Sequence, residues 1–550
     1  MITNALASGL SVQTDRFVLD RLPPLSQRSA MRYGAPELII SPQANLVDVL
    51  LAKIEDQRLL DRPFLRSDRI TLSYADAKER ICRIAQVLTE EFGLVPGNRV
   101  LLRGGNSIGM ALAWLGTVKA GLIAVATMPL LRARELTDII DKSQVTLALC
   151  EASLLDELNT AKVQSQTLKV IVPFNLNAPG SLANLSSQKN GDFAPCLTAA
   201  DDVALLAFTS GTTGKPKAAV HTHRDVLAAC EAWPRHILKA EPDDIVVGSP
   251  PLAFTFGLGG LLLFPMRACA SVYFPSIAYT PEAMVRLISE VRATICYTAP
   301  TLYRQMAPFA KHTGTPSLRL CVSAGEALPD ATRQLWKEAT GMDLLDGIGA
   351  TEMFHIFISS VPGQLRRGAI GKVVPGYVAK VVDDQGQEVP RGTVGKLAVQ
   401  GPTGCKYLDD ARQTSYVKDG WNYPGDAFSQ DPDNYFFYQA RDDDMIITAG
   451  YNVGAPEVED ALLNHPAVAE CGVVGLPDEE RGMVIKAFVV LKPDYPATPE
   501  TCKMLQEHVK ATLAPFKYPR QVAFVSQLPR TETGKLQRFK LRQTDSALTP

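Results

Sequence analysis

From about residue 70 the sequence alternates between apolar residues at helical spacing and short apolar runs that read as strands. "YADAKERICRIAQVLTEEFG" lines up Ala, Ile and Leu at helical intervals, "NRVLLRG" is strand-like, and "IGMALAWLGTVKAG" is helical again. A chain patterned in this way folds into mostly parallel sheets whose crossovers cover them as helices. The pattern recurs at "TLALCE", "KVIVPF", "VALLAFTSG", "ATICYTAP" and "RLCVSAGEALP", each run breaking at small or hydroxylated residues. Ligands collect at such carboxyl ends of strands.

Residues 366–440 differ, being rich in glycine and in short alternating strands such as "YVAKVVDD" and "GKLAVQG". That is the pattern of an antiparallel β subdomain. After "YQARDDDMIITAG" comes a compact unit: a helix opening at Pro456, the strands "AVAECGVVG" and "IKAFVVL", a helix around "CKMLQEHVKATL", and the strand "QVAFVS". The expected fold is therefore α/β. Residues 1–441 form a large N-terminal domain of helix-covered, mostly parallel sheets with a β-rich subdomain at 366–440, and residues 442–550 form a small α+β C-terminal domain.

Charge and composition exclude several classes of partner. The formal charge of -2 over 550 residues leaves no global basic field for nucleic acid. The most apolar stretch, "PLAFTFGLGGLLLFPM", ends at Arg267 and contains Pro265. It is short for a bilayer and reads as a buried element beside a pocket. The N-terminus lacks the basic region and apolar run of a secretory signal. Ten cysteines are scattered without a C-x-x-C pair, as reduced core residues of a cytoplasmic protein would be.

The segment "LAFTSGTTGKPK", 206–217, leaves a strand-like run for hydroxyls, glycines and lysines. A Walker loop needs four residues between its glycines and Lys-Ser/Thr at its end. Here two residues separate Gly211 from Gly214, and Lys215 precedes Pro216, so the Walker reading fails. The loop still offers inward backbone N–H groups, hydroxyl donors and lysine charge to a polyphosphate.

The string "TSGTTGKPK" resembles the signature of the adenylate-forming superfamily, which includes acyl- and aryl-CoA ligases, peptide-synthetase adenylation domains and luciferases. Further motifs of that family follow in order: "SAGEALP" (323–329), "DGIGATE" (346–352), "YPGDAF" (423–428), "RDDDMIITAGYN" (441–452) and "TETGKLQR" (531–538). The resemblance implies that ATP is the nucleotide, its β- and γ-phosphates held by Thr209, Ser210, Gly211, Thr212, Thr213, Gly214, Lys215 and Lys217. It places Thr351 and Glu352 beside the phosphate, with Glu352 coordinating Mg²⁺. Gly325 and Glu326 would border the adenine through their backbone, Asp346 and Gly347 belong to the same nucleotide site, and Asp426 and Arg441 would reach the ribose. Lys535 would bridge carboxylate and phosphate oxygens during adenylation.

The family also implies a mobile C-terminal domain used in two orientations. Asp443 matches the hinge, and Gly450 with Tyr451 matches the coenzyme A tunnel. The segments "PLAFTFGLGG" and "DGIGATEMFHIF" resemble benzoate- and 2-aminobenzoate-CoA ligases. The aryl pocket is then lined by Phe254, Thr255 and Phe256 on one segment, and by Ala324, Gly349, His355 and Ile356 on others. Two departures stand out: Pro424 replaces the usual threonine before Gly-Asp, and "VGAPEVE" replaces the commoner Ser-Pro form.

These implications converge on an ATP-dependent ligase that joins a small aromatic carboxylic acid, 2-aminobenzoate foremost, to coenzyme A and releases AMP and pyrophosphate. Loading of a carrier protein's phosphopantetheine arm is the alternative. More distant ones are an ADP-forming kinase or ATPase and a silent ATP-binding protein. The reading carries no nucleic-acid or membrane partner, and admits a homodimer and a downstream enzyme that uses the acyl-CoA.

Overall fold

The computed structural model describes residues 9–209, 216–441, 444–448, 451–478, 481–530 and 535–546. Four sheets form among them. The first takes the order Val170–Phe174, Leu147–Glu151, Arg99–Arg103, Ile123–Thr127, Val203–Thr209, Lys217–Thr222. All its pairs are parallel except the last, where Lys217–Thr222 folds back antiparallel on Val203–Thr209. A second sheet runs from Lys372–Val373 through Ile356–Ser359, Leu344–Gly349, Leu320–Ala324, Ile295–Thr298 and Ile245–Gly248 to Ser271–Tyr273, Pro63–Arg66 and Thr71–Ser73. Its middle is parallel, as the alternating sequence pattern requires.

The helices between these strands start where the sequence supplies caps. Asn45 accepts from Val47 N and Asp48 N to open Leu46–Asp56, and Ser107 accepts from Met110 N to open Ile108–Lys119. Thr222 and Asp225 form a capping box on His223–Glu231. Trp114 and Trp233 fill the largest core cluster. The run starting at Tyr74 is α-helical only to Gln86 and widens into a π turn over Val87–Glu91. The apolar stretch beside Phe254 is likewise split, into α-helix Thr255–Leu258, π turn Gly259–Leu263 and α-helix Phe264–Arg267. Wide turns of this kind gather at functional sites. Among the described residues no helix is long and apolar enough to cross a membrane, and all ten cysteines are free, eight of them buried.

An antiparallel sheet follows, built on Val378–Val382, Gly395–Gln400, Asp426–Gln430 and Phe436–Arg441. The smaller C-terminal domain has its own sheet, with Val468–Asp478 against Gly482–Leu491 as the long antiparallel pair and Gln521–Phe524 joining in parallel. Helix Ala455–Leu463 carries Pro456 in its first turn and packs its own small core. It also meets the large domain. Asp460 Oδ1 accepts from Ala331 N at 3.1 Å, and Arg304 donates to the Leu463 carbonyl at 3.3 Å.

Candidate functional site

The carboxyl ends of the parallel strands, the first turns after them and the C-terminal domain converge on one cleft. Asn106, in the turn after Arg99–Arg103, donates to the Pro250 carbonyl (2.9 Å) and accepts from Leu252 N (2.8 Å). That side chain ties the first sheet to the loop carrying Phe254, Thr255 and Phe256.

Thr255 is buried, opening a helix whose next turn is glycine-rich. The Phe256 ring lies 5.6 Å from the His355 imidazole, which Phe264 meets edge-on at 4.5 Å and Trp233 at 5.5 Å. A Cβ at Gly259 would lie 2.7 Å from His355 Cδ2, so the glycine makes room for the ring. Both ring nitrogens of His355 are buried without a hydrogen-bond partner among the described residues. Burial drives its pKa down to about 3, against a smaller opposing pull from the Phe256 backbone, so the ring is neutral. Gly349 pairs with Ile356, and a Cβ on it would strike the His355 carbonyl at 2.6 Å. Ala324 pairs with Gly347, whose own close neighbour is Ile356. The aromatic and small residues expected to line a flat pocket are thus gathered from separate segments. Trp233 and Phe264, which the motifs did not mark, complete the cage.

The groups that the motifs assign to phosphate collect at the ends of Val203–Thr209 and Lys217–Thr222. Thr209 and Lys217 end and begin these paired strands; Ser210, Gly211, Thr212, Thr213, Gly214 and Lys215 lie outside the described residues, as do Asp443 and Gly450. Glu352, buried in the turn Thr351–Met353, sits 3.6 Å from Lys217 Nζ. Tyr407 donates its phenol proton to Glu352 Oε1 at 2.5 Å and accepts from Lys217 Nζ at 2.9 Å.

On the opposite wall, Asp426 is buried and pairs with Arg441, whose guanidinium lies 3.2 Å from Asp426 Oδ1 and also donates to the Pro424 carbonyl at 2.9 Å. Gly425 takes a positive φ of 82°, and a Cβ there would sit 3.0 Å from the Arg441 guanidinium. Asp346 is also buried, but its carboxylate is engaged by Arg333 at 2.6 Å. Burial raises its pKa to about 6 despite that partner.

The C-terminal domain closes the cleft. A Cβ at Gly325, which has φ +93°, would lie 3.9 Å from Lys535 Cε. Withdrawal of water lowers the Lys535 pKa, opposed by Glu326, reinforced by Arg441, and opposed again by Asp426 and Glu352. One lysine therefore faces carboxylates from three different parts of the large domain. Glu326 itself accepts from Thr301 at 2.8 Å and lies 3.6 Å from Arg530, which also binds Glu470 at 2.7 Å. Burial raises the Glu326 pKa, and Thr301, Arg530 and Lys535 oppose the rise. Tyr451 lies against Phe516 with ring centroids 4.3 Å apart and remains half-exposed.

The Lys217–Glu352 edge, the aromatic cluster around His355 and a lysine from the C-terminal domain are thus contributed by separate segments of the chain. Family models described as AMP-binding enzyme and AMP-binding enzyme C-terminal domain match residues 53–406 and 457–535. The chain belongs to the AMP-binding enzyme family. Within it, benzoate-CoA ligase of Thauera aromatica is 36% identical over 480 residues, 86% of this chain and 91% of that protein. The 3-hydroxybenzoate-CoA ligase of an Aromatoleum species is 31% identical, covering 91% of this chain and 96% of its own. Among solved structures of the family, the anthranilate CoA ligase AuaEII in complex with anthranoyl-AMP superposes with a TM-score of 0.88 at 33% identity, over 94% of this chain and 99% of that one. The α/β architecture, with its large parallel-rich domain and smaller C-terminal domain, is that of these AMP-binding enzymes.

Proposed function

We propose that the chain is an AMP-forming aryl-acid:CoA ligase, with 2-aminobenzoate as its foremost acid. The observation that carries the reading is Lys535, held at Gly325 and facing Glu326, Asp426 and Glu352, in a chain whose relatives are benzoate- and hydroxybenzoate-CoA ligases. The acid's carboxylate oxygen attacks the α-phosphate of ATP, the bond to the β-phosphate breaks, and pyrophosphate leaves. Two anions meet in that step, so the donors must neutralise both. Lys535 bridges the acid and the α-phosphate, Lys217 and the loop 209–217 hold the leaving pyrophosphate, and Asp426 with Arg441 fixes the ribose. The thiol of coenzyme A then attacks the acyl carbon and AMP departs. The domain division at 441/442, with Asp443 as hinge, gives the second step a different wall.

Among the described residues no three ligating side chains form a metal cluster. Glu352 nevertheless suits a hard cation that arrives on the nucleotide, because Mg²⁺ is commonly held by one carboxylate and the substrate's phosphates. When bound, it neutralises phosphate oxygens. The caged, neutral His355 and the buried Thr255 favour a ring bearing a small polar group, and a solved relative holds anthranoyl-AMP.

The decisive experiment incubates purified protein with ATP, Mg²⁺, CoA and a panel of benzoates. AMP and aryl-CoA are the expected products. ADP, or transfer only to a carrier protein, would overturn the proposal. Thr255→Ala should shift selectivity from 2-aminobenzoate toward benzoate by about 1–2 kcal/mol, the worth of a neutral hydrogen bond. Unaltered kcat/KM ratios for the two acids would remove Thr255 from that role.

A further inference from the structure

Residues 405–408 run antiparallel along the free edge of strand Lys217–Thr222. Val220 N donates to the Lys406 carbonyl at 2.7 Å and Leu408 N to the Ala218 carbonyl at 2.9 Å, with Tyr407 opposite Ala219. Alternate side chains of a strand share a face, so Lys217, Ala219 and His221 point the same way. Tyr407 meets that face and crosses the small Ala219. Its ring belongs to the cluster of Ala219, Cys405 and Tyr416, edge-on to Tyr416 at 5.8 Å. Lys406 points away, to Asp225 at 2.7 Å. The same pairing that fixes the register therefore delivers the phenol to Lys217 and Glu352.

The neighbouring residue of the turn is held from the same strand face. His221 Nε2 lies 2.7 Å from the Thr351 carbonyl. A carbonyl only accepts, so Nε2 carries the proton. Burial lowers the His221 pKa to about 4, which leaves the ring neutral and fixes that tautomer. Thr351 and Glu352 are thus gripped by a backbone contact and a side-chain contact respectively.

We infer that Tyr407 is a positioning residue for Glu352 and Lys217 at the phosphate end of the site. Its phenol is interposed between them: it accepts from the ammonium, donates to the carboxylate, and keeps the charges 3.6 Å apart. Without it, this loose ion pair loses the hydroxyl that holds both ends, and the lysine and the carboxylate tighten on each other and turn away from a bound triphosphate. A phenol has one proton to donate and lone pairs to accept with, so Tyr407 serves both partners at once. The inference rests on the adenylation reading above, since it needs phosphates for the two groups to serve.

The test is equilibrium binding of ATP with Mg²⁺, and separately of AMP, without acid, to the wild type, Tyr407→Phe, Glu352→Gln and the double variant. Phenylalanine keeps the packed ring and removes one oxygen. MgATP binding to Tyr407→Phe should weaken about tenfold or more, as for a lost hydrogen bond to a charged group. AMP, which lacks the β- and γ-phosphates, should bind as before. In the Glu352→Gln background the loss of the phenol should cost little more, because the two side chains act as one unit. Equal weakening for ATP and AMP, or undiminished MgATP binding, overturns the inference while leaving the adenylation reading intact. A wild type that binds neither nucleotide overturns both.

Discussion

Lys535→Ala should slow acyl-adenylate formation by roughly a hundredfold or more, the loss that follows removal of one preorganised donor to developing charge. Thioester formation from supplied acyl-adenylate should remain close to wild type. The division follows from the setting of the lysine. It comes from the small domain and lies against Gly325 of the large one, with Glu326, Asp426 and Glu352 around its charge. Pyrophosphate exchange measures the first half-reaction, and CoA transfer from synthetic adenylate measures the second. Equal damage to both would contradict the assignment. The rate should also fall at high pH before a free lysine would titrate, because desolvation favours the neutral amine and lowers the pKa. An alkaline limb at the ordinary lysine position would mean that the ammonium is better solvated during turnover than this cleft allows.

What the sequence made legible was local. Short continuous apolar runs located the parallel strands, and the ordered motifs marked Lys217, Glu352, Asp426, Arg441 and Lys535, which the fold draws together from segments as far apart as 217 and 535. Tyr407 was not legible. It stands in "GPTGCKY", and its role exists only because residues 405–408 pair with an edge far earlier in the chain. His221 had a signal that could have found it, the alternation Lys217, Ala219, His221 on one strand face, but its partner Thr351 depends on tertiary packing. Trp233 and Phe264 looked like ordinary core residues, and they are core residues, packed around His355. The Asp346 carboxylate, read as part of the nucleotide site, is held by Arg333 from the preceding helix. A single carboxylate in a motif does not disclose which neighbour it faces.

Asp225→Ala should be strongly destabilising, at about 3–5 kcal/mol, because it leaves a buried charge uncompensated. Asp225 and Lys406 are both buried and lie 2.7 Å apart. Asp225 also accepts from Thr222 N at 2.8 Å and from the Thr222 hydroxyl at 2.9 Å, so its loss removes half of a capping box as well. Burial alone would raise the Asp225 pKa, but Lys406, His221 and the Thr222 hydrogen bonds outweigh it and hold the carboxyl below its ordinary value. A depressed carboxylate contributes stability above its unfolded pKa and loses it as pH falls through the folded one. The wild type should therefore lose this contribution only in acid, below the usual aspartate range, and Asp225→Ala should lack that limb. Urea unfolding across pH measures both effects. The double variant Asp225→Ala with Lys406→Met should recover much of the loss, since it removes the stranded ammonium. A single variant as stable as wild type, or a double variant no better than the single, would sink the argument. Lys406 and Tyr407 are adjacent on the same edge segment, so the ion pair that secures the fold also holds the phenol in register with Glu352. Where Asp225→Ala still folds, its MgATP binding should weaken in the same direction as in Tyr407→Phe.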